Sequence, residues 1–128
     1  MIIEYRQLNK ATKGGGYKIP TAGDLIDRVS LSQPKFFFKF DLKSGYWQVK
    51  MEEDWVPLTA FNAPEGMFEW LVMPFGLKNA PGVFPRKMDN AFKQVRKFCV
   101  VYIDDVLVYS QTEADEMRHL DKVTDVFR

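Results

Sequence analysis

The chain has 128 residues, with 18 Lys and Arg against 17 Asp and Glu, so its formal net charge of +1 selects for neither an anionic nor a cationic partner. Apolar residues make up 46% and Phe alone contributes 11, enough bulky material for the core of one domain. A single cysteine excludes an internal disulfide and fits a reducing, intracellular setting, and no run is long and apolar enough to span a membrane.

In chain order, Met1-Ile2-Ile3-Glu4-Tyr5 reads as a strand whose abrupt opening predicts a piece of something longer. Gly14-Gly15-Gly16 reads as a loop or hinge. Thr21 and Asp24 have the spacing of a capping box, which predicts a short helix before Pro34 with Leu25, Ile26 and Val29 on its inner face. Phe36–Asp41 reads as a strand, with Phe36, Phe38 and Phe40 on one face and Phe37, Lys39 and Asp41 on the other. A hairpin is predicted from Leu58 to Met73, turning at Pro64-Glu65-Gly66. Asn79-Ala80-Pro81 starts a helix along which Phe84, Met88, Ala91, Phe92 and Val95 recur at helical spacing. Arg86, Lys87, Lys93, Arg96 and Lys97 read as the solvated face of that helix, and Glu52-Glu53-Asp54 as a solvated loop. A last helix starts at Thr112 with Asp115 as its capping partner and Met117, Leu120, Thr124 and Phe127 along one stripe. His119 lacks partners at metal-ligand spacing and reads as a surface residue, while Cys99 reads as a small buried hydrophobe. Antiparallel hairpins with helices between them predict an α+β layer fold.

Between the last two helices lies the most informative segment. Asp104-Asp105 separates Phe98-Cys99-Val100-Val101 from Val106-Leu107-Val108-Tyr109, two strand-like runs that predict a hairpin with the aspartates at or near its tip. Adjacent like charges against apolar strands are costly unless a cation neutralises them, and a divalent metal ion prefers carboxylate oxygens. Asp41, at the end of its own strand, is a candidate partner for Asp104 across neighbouring strands about 5 Å apart. If strand alternation holds to the tip, Asp104 shares a face with Tyr102 and Val100 while Asp105 points to the other.

Phe40-Asp41-Leu42-Lys43-Ser44-Gly45-Tyr46, Met73-Pro74-Phe75-Gly76-Leu77-Lys78-Asn79-Ala80-Pro81 and Tyr102-Ile103-Asp104-Asp105 occur in this order. Together they resemble the catalytic and template-side motifs of a reverse transcriptase, of the gypsy-class LTR retrotransposon and, more closely, the plant pararetrovirus (badnavirus-like) kind. Tyr5-Arg6-Gln7-Leu8-Asn9-Lys10 and Tyr17-Lys18-Ile19-Pro20 fit the same family. The resemblance implies an incomplete right-hand polymerase of α+β class with an antiparallel palm sheet. Its fingers pieces fall at about 1–13 and 49–78 and its palm pieces at about 14–48 and 79–128, with thumb and ribonuclease H outside the chain.

The same resemblance implies two-metal transfer of a deoxynucleotide from dNTP to a primer 3′-hydroxyl on an RNA or DNA template. Asp41 and Asp104 would be the principal ligands of two Mg2+ ions, with Mn2+ a substitute, Asp105 secondary and the Leu42 carbonyl assisting. Tyr46 would be the steric gate against a 2′-hydroxyl, and Phe75 and Gly76 would lie against the nascent base pair. The implied partners are primed template, dNTP and the other regions of a parent polyprotein, in the cytoplasm or in virus-like particles, with no membrane. Pro85, where relatives carry a polar residue, and Gly82 at a helix start fit a degenerate integrated copy, inactive or at most a nucleic-acid-binding module. An RNA-dependent RNA polymerase is the nearest other enzyme, and the bulk of Tyr46 argues against it.

Overall fold

The computed structural model describes residues 3–128, and the chain divides into two compact units. The first joins the segment up to Tyr17 with Ser44–Phe84, and the second joins Lys18–Lys43 with Pro85–Arg128.

In the second unit, α2 (Ala22–Leu31) starts on the predicted capping box: the Thr21 hydroxyl accepts from the Asp24 N–H and the Asp24 carboxylate accepts from the Thr21 N–H. Three antiparallel strands follow in the spatial order β1 (Phe36–Asp41), β5 (Asp105–Ser110), β4 (Cys99–Tyr102). Helix α4 (Glu113–Val126) begins at Thr112, whose hydroxyl accepts from the Asp115 N–H. Alternation along the strands gives the sheet two covered faces. On one, Val106, Val108 and Cys99 pack with Phe92, Val95 and Val123, and Phe40 and Leu120 lie against them. On the other, Val100 and Tyr109 pack against Leu25 of α2, with Val29 and Leu107 beside them. The Arg28 guanidinium donates to the Cys99 carbonyl at 2.8 Å, which ties α2 to β4. Burial pushes the Cys99 thiol up to about 12, so it behaves as a buried hydrophobe.

In the first unit, α1 (Arg6–Ala11) is followed further along the chain by a 3-10 turn at Gly45–Gln48 and another at Glu53–Thr59. A short hairpin, β2 (Phe61–Ala63) with β3 (Gly66–Phe68), completes it. The Tyr5 hydroxyl donates to the Thr59 carbonyl, and the buried Thr59 hydroxyl accepts from the Trp70 N–H at 2.8 Å. Helix α3 (Ala80–Ala91) begins in the first unit and ends in the second.

Several expectations are corrected. Met1 and Ile2 of the predicted opening strand lie outside the described residues, and Ile3–Tyr5 form no strand; Arg6 instead opens a helix. The hairpin shrinks from Leu58–Met73 to three residues a side, because Leu58 and Thr59 close a 3-10 turn. Phe92 and Val95 are core residues, but past the end of α3, in a 3-10 turn that adds tightness the 3.6 period does not describe. Pro85 sits inside α3 without ending it. Ile26 is 64% exposed. On α4 the inward residues are Glu116 and Val123, while Met117 is 60% exposed, a rotation of the stripe by about one residue. His119 is not a free surface residue: its ring stacks on Phe98 with centroids 3.8 Å apart and its Nδ1 lies 2.6 Å from the Ser110 hydroxyl.

Candidate functional site

The hairpin of β4 and β5 has one aspartate in its turn and the other beside it, as expected. Tyr102 pairs with Asp105, so the turn residues are Ile103 and Asp104, and Asp105 is the first residue of β5. Ile103 holds φ at 55°, a region that a β-branched side chain enters only under strain of about 1–3 kcal/mol. The turn also overturns the expected alternation. Asp105 shares the face of Tyr102 and Val100, because a two-residue turn sets those positions directly opposite.

Register brings Asp41 to the same place. It lies opposite Asp105 in the β1–β5 ladder, and the Leu42 N–H donates to the Asp104 carbonyl at 2.8 Å, locking the end of β1 to the turn. Oδ1 of Asp104 is buried with no hydrogen-bond partner among the described residues. Burial first, then the charge of Asp41, then that of Asp105, holds the Asp104 carboxyl above the usual carboxylate range. Asp41 thus acts on Asp104 more strongly than its own chain neighbour does. Asp105 is occupied elsewhere, in an ion pair at 2.9 Å with Lys39.

The donor chemistry fits a hard cation held by few protein ligands. An orphaned carboxylate oxygen beside a second carboxylate is costly alone and is relieved by a divalent ion. Among the described residues no three His, Cys, Asp or Glu side chains form a metal-holding group, so this is a pair of carboxylates and not a closed cage.

The other predicted residues lie in the first unit. Tyr46, half-buried, sits between Phe75 and Phe84, its ring centroid 5.2 Å and 5.3 Å from theirs. Gly45 beside it is buried against Phe84, and a Cβ there would stand 2.4 Å from that ring. Gly45→Ala is therefore expected to cost about 1–3 kcal/mol through overpacking and to shift the Tyr46 ring. Urea unfolding together with near-ultraviolet dichroism of the aromatic cluster measures both, and an unchanged midpoint contradicts the contact.

Gly76 takes φ 92°, which a residue with a side chain rarely adopts. The loop around it is clamped from two sides. The Asn9 amide donates to the Gly76 carbonyl and accepts from the Lys78 N–H, both at 2.8 Å. The Asn79 side chain accepts from the Gly15 N–H and donates to the Lys13 carbonyl, each at 2.9 Å, so the glycine run is tied down at Gly15.

Sequence reading missed three contributors: Lys39, Phe84 as the support of Tyr46, and Asn9 as a clamp. Only Lys39 left a signal, since it shares a strand face with Asp41.

A family model described as reverse transcriptase (RNA-dependent DNA polymerase) matches residues 1–128. The chain is 53% identical over 120 residues to polyprotein P3 of Commelina yellow mottle virus, covering 94% of this chain and 6% of the relative. It is 48% identical over 120 residues to the enzymatic polyprotein of Cauliflower mosaic virus (strain Strasbourg), covering 94% of this chain and 17% of that one. The chain thus spans a small part of the length of these relatives. Among solved structures, the foamy viral protease-reverse transcriptase in complex with RNA/DNA hybrid aligns with a TM-score of 0.82 at 23% identity, over 98% of this chain and 17% of that chain. The prototype foamy virus protease-reverse transcriptase CSH mutant aligns at 0.81 and 22% identity, over 95% and 16%. These two likenesses establish the α+β fold.

Proposed function

The chain belongs to the reverse transcriptase family, and on that premise we propose that it carries the metal-binding core of an RNA-directed DNA polymerase. The observation that carries the reading is the Asp41–Asp104 pair: two carboxylates held at one sheet end by the Leu42 N–H, one with an unpartnered oxygen. Asp41 and Asp104 are the principal ligands of two Mg2+ ions, with Asp105 secondary and the Leu42 carbonyl assisting. Such ions, when bound, activate a primer 3′-hydroxyl and neutralise the charge of a departing pyrophosphate. The chain's own contribution is placement: the Leu42 N–H ties the end of β1 to the Asp104 carbonyl, and the strained turn at Ile103 fixes where Asp104 stands.

Tyr46 is the sugar gate, supported by its seat between Phe75 and Phe84, and Phe75 and Gly76 form the clamped loop that lies against a nascent base pair. The division into two units supports assigning the one with Ser44–Phe84 mainly to fingers and the one with the three-stranded sheet to palm. Phe36, Phe37 and Phe38 stand 38–56% exposed on the edge strand β1, which fits cover by other regions of a parent polyprotein. The partners are then primed RNA or DNA template and dNTP. Among the described residues no helix is long and apolar enough to cross a membrane.

The first experiment is paramagnetic broadening by Mn2+ in the NMR spectrum of the 128-residue chain. Broadening centred on residues 41 and 104 and reversed by Mg2+ is the expected result; diffuse broadening refutes the metal site. For the gate, Tyr46→Ala in the polyprotein is expected to weaken discrimination against ribonucleotides about 10- to 100-fold in primer extension. Unchanged discrimination removes Tyr46 from that role.

A further inference from the structure

Asp105 has a partner that the polymerase reading does not use. Lys39 Nζ stands 2.9 Å from Asp105 Oδ1, diagonally across the β1–β5 ladder, where Asp41 pairs with Asp105 and Lys39 with Leu107. Both side chains line a cavity of about 310 Å3 beneath α2, together with Tyr102, Leu107 and Val100. The lining is otherwise almost wholly apolar, so Lys39 is the cation that meets the Asp105 carboxylate there. The two side chains are 60% and 45% exposed, and a pair this open contributes little to stability. Its consequence is orientation. Asp104, one residue earlier, has an oxygen without a partner, while Asp105 has its carboxylate drawn to the α2 side.

We propose that Lys39 is a positioning residue that holds Asp105 aside, so that Asp41 and Asp104 form the metal-binding pair and Asp105 stays at its margin. The proposal rests on the metal-site reading above and adds a device that sorts three neighbouring carboxylates into two roles. Without the ammonium group, Asp105 is free to swing about its χ1 towards Asp104 and to pass from a secondary place to that of a principal ligand of a bound ion. Lys39 therefore limits affinity for divalent ions in exchange for a defined ligand set.

The test is a double-mutant cycle read by the electron paramagnetic resonance signal of free Mn2+ added to the 128-residue chain, with Mn2+ as the only probe. Lys39→Met is expected to tighten Mn2+ binding about tenfold. Lys39→Arg retains the pair and is expected to stay within about twofold of wild type. Asp105→Asn removes the carboxylate that would swing, so adding it to Lys39→Met is expected to cancel the gain. Loss of one positive charge would by itself tighten binding, but that effect survives in the double variant. A gain that persists there, or additivity around the cycle, overturns the role of Lys39 while leaving the metal site standing. A large loss from Asp105→Asn alone also overturns it, by making Asp105 a principal ligand. If the wild type leaves the Mn2+ signal unchanged, the metal-site reading itself fails and the role of Lys39 falls with it.

Discussion

Asp104→Asn is expected to abolish localised Mn2+ binding, with a loss of affinity of about 100-fold or more, and to make the folded chain more stable at neutral pH by about 1 kcal/mol. Both effects come from the same atoms. The Asp104 carboxyl is partly buried, lacks a partner for Oδ1, and lies in the field of Asp41 and Asp105. An amide keeps the shape and removes the charge. The direction of the pH dependence follows from linkage. Because the folded-state pKa lies above the unfolded one, the folded chain holds a proton that the unfolded chain releases. The stabilisation from this group is therefore complete below the unfolded value and lost as pH rises through the folded value. Metal binding runs the other way, since the proton competes for the same oxygen. Urea unfolding of wild type and variant from acid to neutral pH should show the wild type losing stability relative to the variant on the way up. Equal slopes, or undiminished Mn2+ binding by the variant, refute the account.

Phe92→Ala is expected to cost about 3–5 kcal/mol, the largest single loss of stability in the second unit. Phe92 is 3% exposed and meets Phe127 with ring centroids 5.4 Å apart, in the cluster that includes Val95, Cys99, Val106, Val108 and Val123. Truncation removes the transfer energy of the ring and leaves a cavity between the sheet and α4. Against a domain stability of about 5–15 kcal/mol, that loss lowers the melting temperature by roughly 10–20 °C. Phe37→Ala is the control, because Phe37 is 56% exposed on an edge strand and its loss should stay within about 0.5 kcal/mol. Thermal unfolding followed by circular dichroism decides it, and equal effects from the two substitutions contradict the core assignment.

Glu116 is an unresolved cost in the same region. It is 7% exposed, and neither carboxylate oxygen has a hydrogen-bond partner among the described residues.

What the sequence determined by itself is what depends on neighbours in the chain. The Thr21–Asp24 and Thr112–Asp115 caps are closed by groups three residues apart, so their chemistry was readable before any fold existed. The strand Phe36–Asp41 followed from alternation, and the three ordered motifs placed the chain in its family. The tertiary structure decided whatever depends on residues distant in the chain. The two-residue turn at Ile103 and Asp104 set Asp105 on the face of Tyr102, because register is set by pairing across the whole ladder. Val123 turned inward in place of Met117, since the seat for α4 is cut by Val106, Val108 and Phe92. His119 found Phe98 and Ser110, and Lys39 found Asp105, only once the strands had paired. Local hydrogen bonds are specified by spacing along the chain, but the partner of a side chain on a sheet is chosen by a register that no short window of residues contains.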